Sequence, residues 1–204
     1  MIPLQAAATV WAFLLDHALE IIAAISGLLC VVLTMRQNIW CWPVGLVQIA
    51  IYIYVFWEVR LYSDVLLQVI FLILQFYGWY NWLHGGMGHG ELKVSRLALG
   101  RLAFWLAVGA LGTAALGGFM RTWTNAALPF WDASGTVLSL IAQWLMTKKL
   151  LECWLFWIVV DVISVGIYLA KGLYPTTVLY AVFLCLATMG FLEWLKSYRS
   201  LAAA

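Results

Sequence analysis

Apolar residues fall in long blocks separated by short clusters of Lys, Arg, Asp, Gly and Pro. The blocks cover about 18–35, 39–57, 61–83, 98–119, 129–147, 152–170 and 174–195. Each is at least as long as a helix needs to cross the hydrocarbon layer of a bilayer. Backbone amides in lipid must be satisfied within their own segment, so such blocks are helical. The pattern predicts an all-α integral membrane protein with seven transmembrane helices and a single membrane domain over 1–204. Residues 3–15 read as a short interfacial helix or an extension of the first span.

Composition sharpens this picture by exclusion. Hydrophobic residues make up 66% of the 204 residues and charged residues only 10%, too few to cover a soluble surface. A net charge of +2 argues against nucleic acid as a partner and leaves the lipid bilayer as the principal one. The N-terminus has no basic n-region, and Asp16 and His17 interrupt its apolar run, which argues against a cleavable signal. Cys30, Cys41, Cys153 and Cys185 show no metal or CxxC spacing and read as structural filler. HGGMGHG at 84–90 lacks phosphate-loop spacing and reads as a flexible loop, and no HExxH, GxSxG or P-loop is present. Neither an enzyme nor a bound metal or cofactor is expected. Lys and Arg number three on the side of the N-terminus (Arg60, Arg121, Lys171) and eight on the other, which predicts an outside N-terminus and a cytoplasmic C-terminus.

The chain also matches itself at a shift of 112 residues. Cys41-Trp42 falls on Cys153-Trp154, Leu61-Tyr62 on Leu173-Tyr174, Gly78 on Gly190, Trp82-Leu83 on Trp194-Leu195, and Arg36 on Lys148. The shift spans four helices, so both copies face the same way. A first three-helix repeat over 18–83, a linker helix over 98–119 and a second three-helix repeat over 129–195 follow: a parallel 3+1+3 transporter plan with a site expected near the midplane.

The chemistry inside the spans centres on Asp161, in the middle of the sixth block. A carboxylate at the centre of a lone membrane helix costs about 2.5–3.5 kcal/mol on insertion scales, so it turns to the bundle interior. Cys153, Trp157, Asp161, Ser164 and Tyr168 share its helical face. No Lys or Arg lies at similar depth, which points to a mobile cation: a proton, a metal ion or a cationic substrate. Trp154 and Trp157 add faces that attract flat cations. Gln48 and Tyr52 share a face with Gly45 in the second block, Gln68 and Gln75 align in the third with Trp79 near its end, and Gln143 lies on a stripe with Thr136, Ser139 and Thr147 in the fifth. One such amide is interhelical glue; four beside an acid outline a polar cavity. Trp40, Trp42, Trp57, Trp82, Trp105, Trp123 and Trp194 read as interfacial belts, and Asp132 as a helix cap. Gly45, Gly78, Gly166 and Gly190 read as sites of close helix contact or bending.

Over nearly its whole length the chain resembles the PnuC family of bacterial vitamin transporters. The resemblance rests on GLVQIAIYIYVFWEVRLYSDVLLQVIFLILQFYGWYNW (45–82), LPFWD (128–132) and LMTKKLLECWLFWIVVDVISVGIYLAKGLY (145–174). It implies a SWEET-like fold in the bacterial inner membrane, and facilitated diffusion of nicotinamide riboside trapped inside by a salvage kinase. It also implies that Trp154 and Trp157, a WxxW pair, border the substrate ring, that Gln68 donates to the ribose or a ring substituent, and that Tyr180 fills an aromatic position. Gln48, Gln75, Asp161 and Met189 stand where nicotinamide riboside carriers of the family tend to have asparagine, and Cys153 precedes Trp154 where asparagine is usual.

A nicotinamide riboside uniporter is therefore the leading expectation. A thiamine or riboflavin carrier of the same family, a proton-coupled transporter and a non-transporting receptor stand as alternatives, and self-association is left open.

Overall fold

The computed structural model describes residues 18–58, 60–124 and 127–202. The expected interfacial segment at 3–15, with Asp16 and His17, lies outside them. Seven α-helices carry the described fold: α1 (Ala18–Met35), α2 (Cys41–Glu58), α3 (Tyr62–His84), α4 (Leu99–Trp123), α5 (Pro129–Thr147), α6 (Cys153–Ala170) and α7 (Tyr174–Ala202). Five of them, α2, α3, α4, α6 and α7, are by themselves long and apolar enough to cross a membrane. The apolar stretch of α1 covers Ile21–Met35. Helix α5 falls short because it carries the most buried polar side chains, Ser139, Gln143 and Thr147. It can carry them because other helices, not lipid, surround it.

Helix ends follow from local chemistry. Pro129 opens α5 in the first turn, where its fixed φ and missing N–H are harmless. Asp132 is not the cap expected of it: Leu128 holds that position, and Asp132 lies one turn in, where its charge still complements the helix dipole. The turn after α1 has Gln37 at φ 56°, and the turn after α5 has Lys149 at φ 53°. Arg60 (φ 60°) and Gly172 (φ 70°) do the same at the other end, again 112 residues apart. The hydrogen bonds recur with the angles: Gln37 N to Thr34 O and Lys149 N to Met146 O, both 2.9 Å, then Leu61 N to Phe56 O and Leu173 N to Tyr168 O, both 2.9 Å.

Packing runs in a closed cycle. Helix α1 contacts α2, α2 contacts α3, α3 contacts α5, α5 contacts α6, α6 contacts α7, and α7 returns to α1. Helix α4 leans on α5 from outside, with Gly109, Gly112 and Gly117 admitting Leu138, Val137 and Phe130. Small residues of this kind let helices approach where no hydrophobic effect drives them together. Apolar residues such as Leu66, Ile73, Leu111 and Val178 stay exposed, as a lipid-facing surface requires.

The tightest core sits at one end, the end bearing the turns 36–40 and 148–152. Trp42, Trp154, Trp194, Leu145, Leu151, Cys41 and Cys153 are fully buried there, with Trp82 at 3% exposure. Trp42 meets Trp82 edge to face at 5.2 Å, Trp154 meets Trp194 likewise at 5.5 Å, and Trp82 and Trp194 approach to 5.8 Å. Trp42, Trp82 and Trp194 are thus a core, not the interfacial belt expected of them. Trp40, Trp57 and Trp123 are exposed. Period and depth alone cannot separate the two groups, because both lie at span ends.

The α3–α4 connection is not a loose loop. Gly86 N bonds Gly90 O at 2.9 Å, closing the HGGMGHG segment into a tight turn with Gly88 at φ 65°. Residues 91–98 then run extended across the tryptophan core, burying Val94 and pairing Ser95 with Lys149 and Leu151. Buried Glu152 accepts from Leu97 N at 3.0 Å and from Arg96 Nε at 3.3 Å. Arg96 is half exposed, so most of the value lies in the backbone bond. Glu152→Ala should cost about 1–3 kcal/mol through the stranded amide, whereas Glu152→Gln should retain most stability. Thermal unfolding in detergent distinguishes the two.

Candidate functional site

Asp161 is the ninth of the eighteen residues of α6 and is 5% exposed. It makes no hydrogen bond or ion pair with any described residue; the one ion pair among them joins Arg96 and Glu152. Tyr180, on α7, has Asp161, Tyr168 and Tyr52 within electrostatic range. Tyr168 stacks on Tyr180 at 5.1 Å and 27°, and Tyr52 of α2 stacks on Phe56 at 5.5 Å. One turn along α6 from the acid, Trp157 is half-buried, with its indole N–H shielded from solvent and bonded to nothing among the described residues. The result is a carboxylate in an aromatic setting with an indole donor to spare. Such a group is suited to holding a cation, by charge and by ring quadrupole together.

A second polar group lies on the α3–α5 side. Gln75 donates to Trp42 O at 3.0 Å and accepts from Gln143 Nε2 at 3.1 Å, joining α2, α3 and α5. Gly45 is needed beneath it, since a Cβ there would stand 2.0 Å from Gln75 Nε2. Gln48 similarly lies over Gly27 of α1. Gln68 is half-buried two turns from Gln75. On α5 the hydroxyls of Thr136, Ser139 and Thr147 bond carbonyls of their own helix, which makes them weak candidates for a ligand.

The structure therefore gathers Asp161, Tyr180, Tyr52 and Trp157 into one neighbourhood and Gln75 with Gln143 into another. It does not bring every expected residue to them. Trp154 is 1% exposed and its ring is held in the tryptophan core over Gly190, and Trp79, like Trp157, packs against that core from its edge. Met189 is half exposed, and Cys153 is fully buried in the same core. Tyr168 was visible only as a member of the Asp161 face; its stacking on Tyr180 across a helix boundary has no sequence signal. Among the described residues no three His, Cys, Asp or Glu side chains come together as a metal site would require.

The 112-residue recurrence holds at packing positions and lapses at polar ones. Trp42 and Trp154, Gly78 and Gly190, and Trp82 and Trp194 agree between the halves. The polar positions do not: Asp161 corresponds to Ile49, Gln48 to Val160, Gln75 to Ala187, and Tyr180 to Gln68. Such divergence is compatible with an asymmetric ligand.

Comparison with known proteins identifies the family. Residues 17–196 match the family model described as nicotinamide mononucleotide transporter. The nicotinamide riboside transporter PnuC of Escherichia coli is 31% identical, over 89% of this chain and 86% of its own. The riboflavin/roseoflavin transporter RibM of Streptomyces davaonensis is 26% identical over 88% and 86%. A crystal structure of the vitamin B3 transporter PnuC superposes with a TM-score of 0.74 at 27% identity, covering 97% of this chain and 88% of the other. With the match running through every described helix, this chain belongs to the nicotinamide mononucleotide transporter family, whose relatives here are membrane transporters and not enzymes.

Proposed function

We propose that this protein carries nicotinamide riboside across the bacterial inner membrane by alternating access, with intracellular phosphorylation by a salvage kinase trapping the vitamin. The observation that carries this reading is Asp161: a buried carboxylate with no cation of the protein's own beside it, flanked by Tyr180, Tyr168 and Trp157. Nicotinamide riboside contains a flat pyridinium cation, and it is the solute named for the PnuC relatives. Gln48 and Gln68, whose side chains make no hydrogen bond with any described residue, supply amides suited to a ribose and a carboxamide, whereas Gln75 and Gln143 are taken up by Trp42 and by each other.

All seven helices span the bilayer in this reading, as two parallel three-helix repeats (18–83 and 129–195) joined by the linker 98–119 in a SWEET-like arrangement. The recurrence of turns and hydrogen bonds at 112 residues and the position of α4 outside the cycle support it. The excess of Lys and Arg around the tryptophan core supports a cytoplasmic position for that end, with the N-terminus outside.

Thiamine is the second reading, favoured because an ionised Asp161 holds a cation more strongly than an uncharged amide; riboflavin is the third, favoured by the RibM relative. Calorimetric titration of the purified protein with the three vitamins separates them. Binding of nicotinamide riboside alone is expected, and preference for either other vitamin reassigns the substrate. Binding without flux in proteoliposomes would point to a receptor, and flux driven by an imposed pH difference to proton coupling. If none of the three binds, the cation-site argument fails.

A further inference from the structure

The cycle of helices has two seams where the halves meet, α3 against α5 and α7 against α1. At the tryptophan-rich end each seam is crossed by one indole bond: Trp82 Nε1 donates to Met146 O at 2.9 Å, and Trp194 Nε1 donates to Thr34 O at 3.1 Å. These four residues are again 112 apart in pairs. Parting the halves at this end must break at least one of the two bonds and separate Trp82 from Trp194.

Beyond those matched bonds the seams are unlike. The α3–α5 seam is also held by Asn81 Nδ2 donating to Thr147 O at 2.8 Å and by Gln143 donating to Gln75. Tyr77 stacks on Trp144 at 5.6 Å and 8°, and the Lys148 ammonium bonds the Tyr77 hydroxyl and lies 5.0 Å from the Trp144 ring. Lys149 sits 4.5 Å over Trp82, its pKa lowered by burial and partly restored by Glu91. The extended segment then ties Leu92 N to Trp82 O and Ser95 to Lys149 and Leu151.

The α7–α1 seam has none of this. Among the described residues the Trp194 bond is the one side-chain hydrogen bond across it, and no ion pair or ring stack joins the two helices. In place of such contacts lies an open cleft of about 270 Å³ lined by Arg36 and Gln37 beside Glu193, Lys196, Ser197 and Ser200. Asn81 corresponds to Glu193, which is exposed and makes no bond to α1.

We propose that at this end α3–α5 is the hinge and α7–α1 the gate, so that the solute passes between α1 and α7 while segment 91–98 keeps the opposite seam shut. This rests on the transport reading for the solute but not for the motion. Opening then breaks a single bond, Trp194 to Thr34, and leaves each edge-to-face tryptophan pair intact within its own half.

Matched cysteine pairs test it in full-length protein carrying Cys185→Ser. Arg36→Cys with Lys196→Cys reports the gate, and the corresponding Lys148→Cys with His84→Cys reports the hinge. With spin labels, the gate pair should show a broad or two-component distance distribution and the hinge pair a single narrow one, in nanodiscs without substrate. Equal broadening at both seams, equal narrowness at both, or broadening only at the hinge pair overturns the proposal. In proteoliposomes a reducible bifunctional thiol reagent on the gate pair should cut nicotinamide riboside flux at least roughly tenfold, restored by reductant, while the hinge pair stays within about twofold. Blockade through the hinge pair alone or through both pairs overturns it. Asymmetric distances in a protein that carries no nicotinamide riboside even without the reagent would uphold the hinge and gate and defeat only the assigned solute.

Discussion

Replacing Asp161 with asparagine is expected to weaken nicotinamide riboside binding by roughly 10- to 100-fold and, at the same time, to make the empty protein more stable. The affinity loss follows from removing a charged partner from a buried cation, an interaction worth about 1.5–3 kcal/mol. The gain in stability follows from the geometry: the carboxylate is 5% exposed and has no ion-pair or hydrogen-bond partner among the described residues, so neutralising it removes a desolvation cost and breaks no contact. Asparagine keeps the side chain's shape, so the packing of α6 is preserved. Calorimetric titration measures the first effect and thermal unfolding in detergent the second. A packing acid predicts the reverse pair of results, unchanged affinity and a lower unfolding midpoint. Unchanged affinity would remove Asp161 from the site regardless of what the midpoint does.

The second large effect is expected at two glycines that face tryptophan rings. A Cβ on Gly78 would stand 2.0 Å from Trp42 Cη2, and one on Gly190 would stand 2.6 Å from the Trp154 ring. Neither ring has room to yield, because each is buried and set edge-on against a second indole. Valine at either position should therefore destabilise by about 1–3 kcal/mol or more through overpacking. The two variants should behave alike. Gly166→Val is the control: nothing lies within 4 Å of a Cβ there, so the packing penalty is absent. Gly166 thus has no part in the close contact expected of it, although it belongs to the same apolar helix as the Asp161 face. Unfolding midpoints of the three variants test this, and a tolerated Gly190→Val would mean that the tryptophan core is looser than its contacts imply.

What was legible in the sequence and what was not divides along physical lines. Helix positions depend on local quantities, the length of an apolar run and the charges that end it, and they could be read directly: α1, at Ala18–Met35, and α5, at Pro129–Thr147, begin and end where the pattern puts them. The inward-facing acid was legible for the same reason, since an unpaired carboxylate in lipid has few places to go. The 112-residue recurrence also marked Trp42, Gly78, Trp82 and their counterparts as related. It could not say that each glycine receives a tryptophan, because that contact joins residues 36 apart on different helices.

Only the tertiary structure decided which polar groups are free. Gln75 and Gln143 look like ligands from their helical positions, yet they bond one another. Asp161, on which the sequence reading centred, makes no hydrogen bond or ion pair with any described residue. Trp82 and Trp123 both stand near span ends, yet one is buried and the other exposed, because only the first lies where the two halves meet. Periodicity determines which face a side chain occupies, while the partner on that face is set by helices distant in sequence. The chain by itself therefore determined the helices, the 112-residue recurrence and the buried acid. Packing between the halves decided which tryptophans form the core, which amides are already satisfied and which seam is held shut.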